Sequence, residues 1–182
     1  MPHLLDTRSR TETLTLAVNQ ILARDGLPGL TLRAIGRESA ISPGSLLHHF
    51  GSREHLLRVA AHVTALWRRD GILLRSARER ALAFLPAPTP TLTPTTDGQA
   101  DLTEVRAWLS WCELARSAAW LAPTMGEARA EERALLARAL DDAVEETGLD
   151  AITAMIDGLL VALCAPAVPL PLEGARALLA DH

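Results

Sequence analysis

The sequence predicts an all-α protein, with an N-terminal three-helix helix-turn-helix domain and a C-terminal helical domain, and three observations carry that prediction. Apolar residues recur at helical spacing along nearly the whole chain, and no stretch alternates apolar and polar residues for long. Residues that favour strands are thin, with no Tyr and 2 Phe. At 182 residues and 48% hydrophobic composition, the chain can fill the core of a small head and a larger body.

Taken in order, Leu14, Ala17, Val18, Ile21 and Leu22 fall at i, i+3, i+4, i+7 and i+8, the stripe of an amphipathic helix over residues 11–25. Asp25-Gly26 and Pro28-Gly29 stop it. Thr31 caps a short second helix that runs to about residue 38 and buries Leu32 and Ile35, and a turn through Ser39, Ala40 and Ile41 follows. Ser42-Pro43 starts a third helix, because Ser supplies an acceptor for an orphan amide and Pro at the first helical position loses no hydrogen bond. This helix covers residues 43–49; Gly51 ends it, and Ser52 caps the next, with Glu54 opposing the positive end of the helix dipole.

The fourth helix is apolar along Leu56, Ala60, Val63 and Trp67, and a break is expected at Asp70-Gly71 before a shorter helix over residues 76–85. Residues 86–100 read PAPTPTLTPTTDGQA, a flexible Pro/Thr loop. A helix over 101–121 carries Val105, Trp108, Leu109, Cys112, Ala115 and Ala119 on its buried side, and Pro123 ends it. Helices over 127–147 and 149–164, divided by Gly148, and a last one over 174–181 complete the chain. The domains are then 1–52 for the helix-turn-helix and 53–182 for the regulatory and dimerisation body.

The net charge of −4 conceals an asymmetry. Residues 1–80 hold 12 Arg against 7 acidic residues, a net +5, whereas residues 81–182 hold 6 Arg against 15, a net −9. Such a chain turns its front toward a polyanion. Two short helices joined by a tight turn, the second opening Ser-Pro-Gly-Ser, have the dimensions of a helix-turn-helix, and the small residues at that start let backbone approach bases and phosphates.

The stretch LTLRAIGRESAISPGSLLHHFGSREHLL over residues 30–57 resembles the DNA-binding signature of TetR-type regulators, and the likeness covers residues 8–60. It implies phosphate contacts from Thr31, His49 and Arg53, and approach to bases or backbone by Arg33, Ser42, Pro43, Ser45, Leu47 and His48, with Gly44 leaving room and Phe50 in the core. Three positions depart from the pattern: Leu47 replaces a phosphate-binding Tyr, Gly36 a packing Ala, and Ala40 a turn Gly. The last two alter the connection between the second and third helices.

The body, with VRAWLSWCELARSAAWLAPTMGEARAEERALLARAL and the later IDGLLVAL, is similar to the betaine-inhibitor-like branch of that family. The resemblance implies a homodimer in which the last two long helices pair with their mates. Leu136, Leu140, Ile152, Ile156, Leu160 and Leu163 are its candidate interface, and about half of these apolar positions are expected to be core instead. A pocket for an unknown small-molecule ligand is placed among Trp67, Trp108, Trp111, Cys112 and Met155, with Glu113 or Asp157 as polar anchors.

Cys112 and Cys164 supply no disulfide framework and read as buried small hydrophobes. His48, His49, His55 and His62 include no pair four apart with a completing ligand, so neither metal nor cofactor is expected. No stretch of about 18 apolar residues suggests a membrane span, and a cytoplasmic location follows as the expectation. The expected function is a DNA-binding regulator on a double-stranded palindromic operator, probed by the helix over 43–49 and released by ligand. The alternatives are a constitutive DNA binder of the same fold and a helical hydrolase, the latter without a nucleophile elbow, phosphate loop or glycine-rich cofactor turn.

Overall fold

The computed structural model describes residues 2–86, 102–140 and 145–180, with side chains from residue 9 and outside 76–80. They form α1 (Pro2–Gly29), α2 (Leu32–Ser39), α3 (Pro43–Phe50), α4 (Arg53–Glu79), a 3₁₀ turn (Arg80–Phe84), α5 (Thr103–Ser117), α6 (Ala122–Ala139), α7 (Glu146–Leu163) and α8 (Leu172–Ala180). The fold is all-α, with an N-terminal helix-turn-helix and a helical C-terminal part. Apart from Pro86, the Pro/Thr loop lies outside the described residues.

The chain gathers into two units. The first joins Met1–Trp67 to Arg106–Ala128, so all but the first turn of α5, and the start of α6, belong with the helix-turn-helix. The α1 stripe of Leu14, Ala17, Val18, Ile21 and Leu22 is at most 2% exposed, as its spacing requires. Helix α1 starts ahead of the expected residue 11, and its regular part stops where foreseen: Gly26 adopts φ 65°, ψ −165°, a conformation that costs glycine little. Just before that kink Arg24 donates to Asp25 and reaches Glu38 of α2 at 3.2 Å; these hydrogen bonds and charges hold its pKa above the ordinary value.

Buried and half-buried polar groups fasten this unit across long stretches of sequence. The Asn19 carbonyl oxygen on α1 accepts from the Thr64 hydroxyl of α4 at 3.0 Å and from the Trp111 indole N–H of α5 at 3.0 Å. Ser110 donates to the Leu22 carbonyl at 3.4 Å. Arg58 donates to the Trp120 carbonyl at 3.3 Å, its guanidinium 5.7 Å from that residue's ring centre.

The second unit comprises Arg68–Val105 and Arg129–His182. Here α8 packs on α7 and on the 3₁₀ turn, around Phe84, Leu136, Ile156, Leu160, Ala175 and Leu179. Arg68, 4% exposed, donates through Nε to Glu132 at 2.5 Å, lies 3.7 Å from Glu104, and reaches the Phe84 carbonyl at 3.5 Å. Arg129 bridges Glu132 of α6 and Asp157 of α7, and Arg133 donates to Asp150 at 2.6 Å. Of these pairs Arg68–Glu132 is buried, where a lone charge would be costly, whereas Asp157, Asp150 and Glu104 stay open to solvent.

Four sequence expectations are corrected. Helix α4 runs through Asp70-Gly71 without a break: Gly71 costs only about 1 kcal/mol against Ala in a helix, while Arg75 donates to the Gly71 carbonyl and the neighbouring Ile72 is 1% exposed. Pro123 opens α6 instead of ending α5, because its missing N–H falls among the amides that have no partner in a first turn. Gly148 lies within α7 and divides nothing. Cys112 and Cys164 are half-buried, not buried.

Candidate nucleic-acid interface

Helices α2, α3 and α4 begin with the same local chemistry. The hydroxyl of Thr31 accepts from the Ala34 N–H, that of Ser42 from the Ser45 N–H, and that of Ser52 from the His55 N–H, each at 3.1 Å. A capping hydroxyl that accepts in this way keeps its own proton for an outside acceptor, so the caps remain competent for phosphate.

Between the first two caps the chain makes an unusually close turn. Ala40 sits at φ 55°, and the Gly36 carbonyl accepts from both the Ala40 and Ile41 N–H groups, the latter at 3.1 Å. A Cβ on Gly36 would lie 2.7 Å from the Ile41 carbonyl oxygen and 3.1 Å from Pro43 Cδ. The two departures from the family pattern therefore belong together: glycine is needed where two backbones meet, and the left-handed strain is left to alanine.

This turn delivers α3 with one anchored side chain. Leu46 is 1% exposed and Phe50 half-buried, with the Phe50 ring edge-on to His49 at 4.7 Å. Pro43, Gly44, Ser45, Leu47, His48 and His49 are all exposed, as are Thr31, Arg33, Ser42 and Arg53. The structure thus brings all ten sequence-predicted positions to the surface of one unit. Arg53 has an inward duty as well, its Nη2 donating to the Leu30 carbonyl at 2.9 Å, next to the Thr31 cap. Sequence spacing gave no sign of that bond.

The residues proposed for the ligand wall fall in both units. Trp108 and Trp111 are 1% and 0% exposed, and Trp111 is committed to Asn19. Trp67 is 37% exposed, Cys112 half-buried, and Met155 belongs to the other unit. Of the suggested anchors, Glu113 pairs with Arg116 at 3.6 Å and Asp157 with Arg129. The six proposed dimer residues, Leu136, Leu140, Ile152, Ile156, Leu160 and Leu163, are at most 9% exposed within a single chain. They are core of the second unit, since α6, α7 and α8 already cover their apolar stripe.

An exposed third helix set by a tight turn behind a capped second helix is a DNA-reading arrangement. Residues 17–60 match the family model of bacterial regulatory proteins, tetR family, so this part of the chain resembles the DNA-binding head of that family. Among solved structures it is similar to a TetR transcription regulator from Haloarcula marismortui ATCC 43049, with TM-score 0.73 and 17% identity over 96% of each chain. It is also similar to a transcriptional regulator from Saccharomonospora viridis in complex with choline, with TM-score 0.72 and 19% identity over 96% of this chain and 95% of that one. A transcriptional regulator from Rhodococcus sp. Rha1 aligns at TM-score 0.69 and 20% identity over 94% of each chain. No curated protein matches the chain.

The turn generates a pair of opposite stability effects. Ala40→Gly is expected to stabilise the full-length chain by about 0.5–1 kcal/mol, the relief of a left-handed alanine less the added freedom of the unfolded chain. Gly36→Ala is expected to cost about 1–3 kcal/mol in overpacking, only partly offset by helix propensity. Urea unfolding measures both, and equal midpoints for the two variants would show that the close approach carries no energy.

Proposed function

We propose that the protein is a cytoplasmic repressor that binds a palindromic operator as a homodimer, reading bases with α3 and releasing DNA when a small ligand occupies the body. The observation that carries this reading is the presentation of α3, whose side chains other than Leu46 and the half-buried Phe50 face outward. Arg33, Ser45, Leu47 and His48 are the base-reading or base-approaching set, while Thr31, His49 and Arg53 position the head on phosphates. Ser42, Pro43 and Gly44 supply the close-approaching helix start.

The homodimer reading moves to a different face from the buried leucines. On α7 the exposed residues Ala151, Ala154, Gly158 and Val161 recur along one side, and a Cβ on Gly158 would meet no atom within 4 Å. Small side chains on one helix face let a partner helix approach closely. The acidic body and basic head support a polarised molecule that engages DNA with one end.

Selection of duplexes from a random pool, followed by binding measurements on the variants, tests this reading. Two chains per enriched palindrome are expected, with the recognition helices reading half-sites about 34–36 Å apart. Ser45→Ala and His48→Ala should reorder the preferred sites, whereas Thr31→Ala should weaken enriched and random duplexes by the same factor. No enrichment, or equal losses on all duplexes for every variant, contradicts sequence reading by α3.

For the ligand, the choline held by the Saccharomonospora viridis regulator, together with the betaine-inhibitor-like character of the body, makes quaternary ammonium compounds the class to titrate first. Choline affinity followed by tryptophan fluorescence should fall by about 5-fold to 150-fold when the enriched duplex is present, a coupling of about 1–3 kcal/mol that is reciprocal by necessity. Binding of equal strength with and without DNA rules out release by this ligand.

A further inference from the structure

The DNA-facing unit contains a cavity of about 320 Å³ that no motif in the sequence announces. Its polar wall is drawn from three separate segments: Arg10 of α1, Ser42 at the α2–α3 turn, and Ser45 and His49 of α3. Leu46 and Phe50 provide apolar lining. All four polar residues are exposed, and none of the described lining residues is acidic. We infer that this cavity seats a backbone phosphate of the duplex and that Arg10 is its charged partner, a DNA-positioning residue outside the helix-turn-helix motif.

The chemistry fits a phosphodiester better than a neutral group. A guanidinium gives a planar fork of donors matched to two phosphate oxygens. Because the Ser42 hydroxyl accepts from the Ser45 N–H, its own proton is left to donate outward. The His49 ring adds a further donor on the same wall, held by its edge contact with Phe50 at 4.7 Å. Location supports the same conclusion, since Ser45 and His49 lie on the helix that enters the major groove, and a helix seated there is flanked by phosphates. The site rests on the DNA-binding reading and extends it to α1.

The test compares wild-type, Arg10→Ala, Arg10→Gln and Arg10→Lys full-length chains by fluorescence anisotropy on an enriched and a random duplex between 50 and 200 mM salt. One lost phosphate contact lowers the slope of log affinity against log salt by about 0.9, so the wild-type advantage over Arg10→Ala should shrink about 3.5-fold across that range. The same factor is expected on both duplexes, with Arg10→Gln behaving like Arg10→Ala and Arg10→Lys retaining the slope. An unchanged slope in Arg10→Ala and Arg10→Gln overturns the site while leaving α3 recognition standing. A reordering of preferred sites without a change of slope also overturns it, because Arg10 would then read bases. Failure of the wild type to bind either duplex defeats the DNA-binding reading itself, and the site falls with it.

Discussion

The approach of the Ile41 carbonyl to Gly36 is the constraint on which the DNA-facing surface depends. With 2.7 Å between that oxygen and the position of a Cβ, the end of α2 and the start of α3 are closer than any side chain on residue 36 allows. Both Ala40 and Ile41 close onto the Gly36 carbonyl, which fixes where Ser42 begins the next helix. From there α3 has a single buried anchor in Leu46, and the remaining exposed side chains follow from helical periodicity. The left-handed Ala40 is the cost of this geometry, and it is localised at the turn that positions the site.

Outside the turn, rigidity comes from buried and half-buried polar groups that each serve more than one helix. Asn19 satisfies Thr64 and Trp111 together, so α1, α4 and α5 share one acceptor within the first unit. In the second unit Glu132 receives both Arg68 and Arg129, and Arg129 extends the chain of charges to Asp157. Such groups tolerate little displacement, because a donor separated from its acceptor in the interior loses the hydrogen bond without regaining water. Helix α4 contributes Arg53 and Thr64 to ties of the first unit and Arg68 to a tie of the second.

What was legible in the sequence was local. Thr31, Ser42 and Ser52 each cap by a bond to the third residue onward, a relation contained in four consecutive residues, and the α1 stripe is a matter of spacing alone. Asn19, Arg53 and Arg68 were invisible as ties because their partners lie 45 and 92, 23, and 64 residues away. Pro123 and Gly148 misled because each has two structural meanings, and only the surrounding tertiary contacts choose between them. The leucines of α6 and α7 misled for another reason: an apolar stripe has the same spacing whether it faces its own chain or a second copy. Arg10 gave no signal, since an exposed Arg on α1 becomes part of a site only when folding brings α3 beside it.

Hydrogen–deuterium exchange of the full-length protein with and without an enriched duplex tests the central claim, that DNA is bound on the surface built by α3 and the caps around it. DNA should slow exchange at the N–H groups of residues 31–33, 42 and 44–49, and leave α7 and α8 unchanged apart from any effect of assembly. Protection confined to the second unit, with residues 42–49 exchanging as in the free protein, would contradict the account.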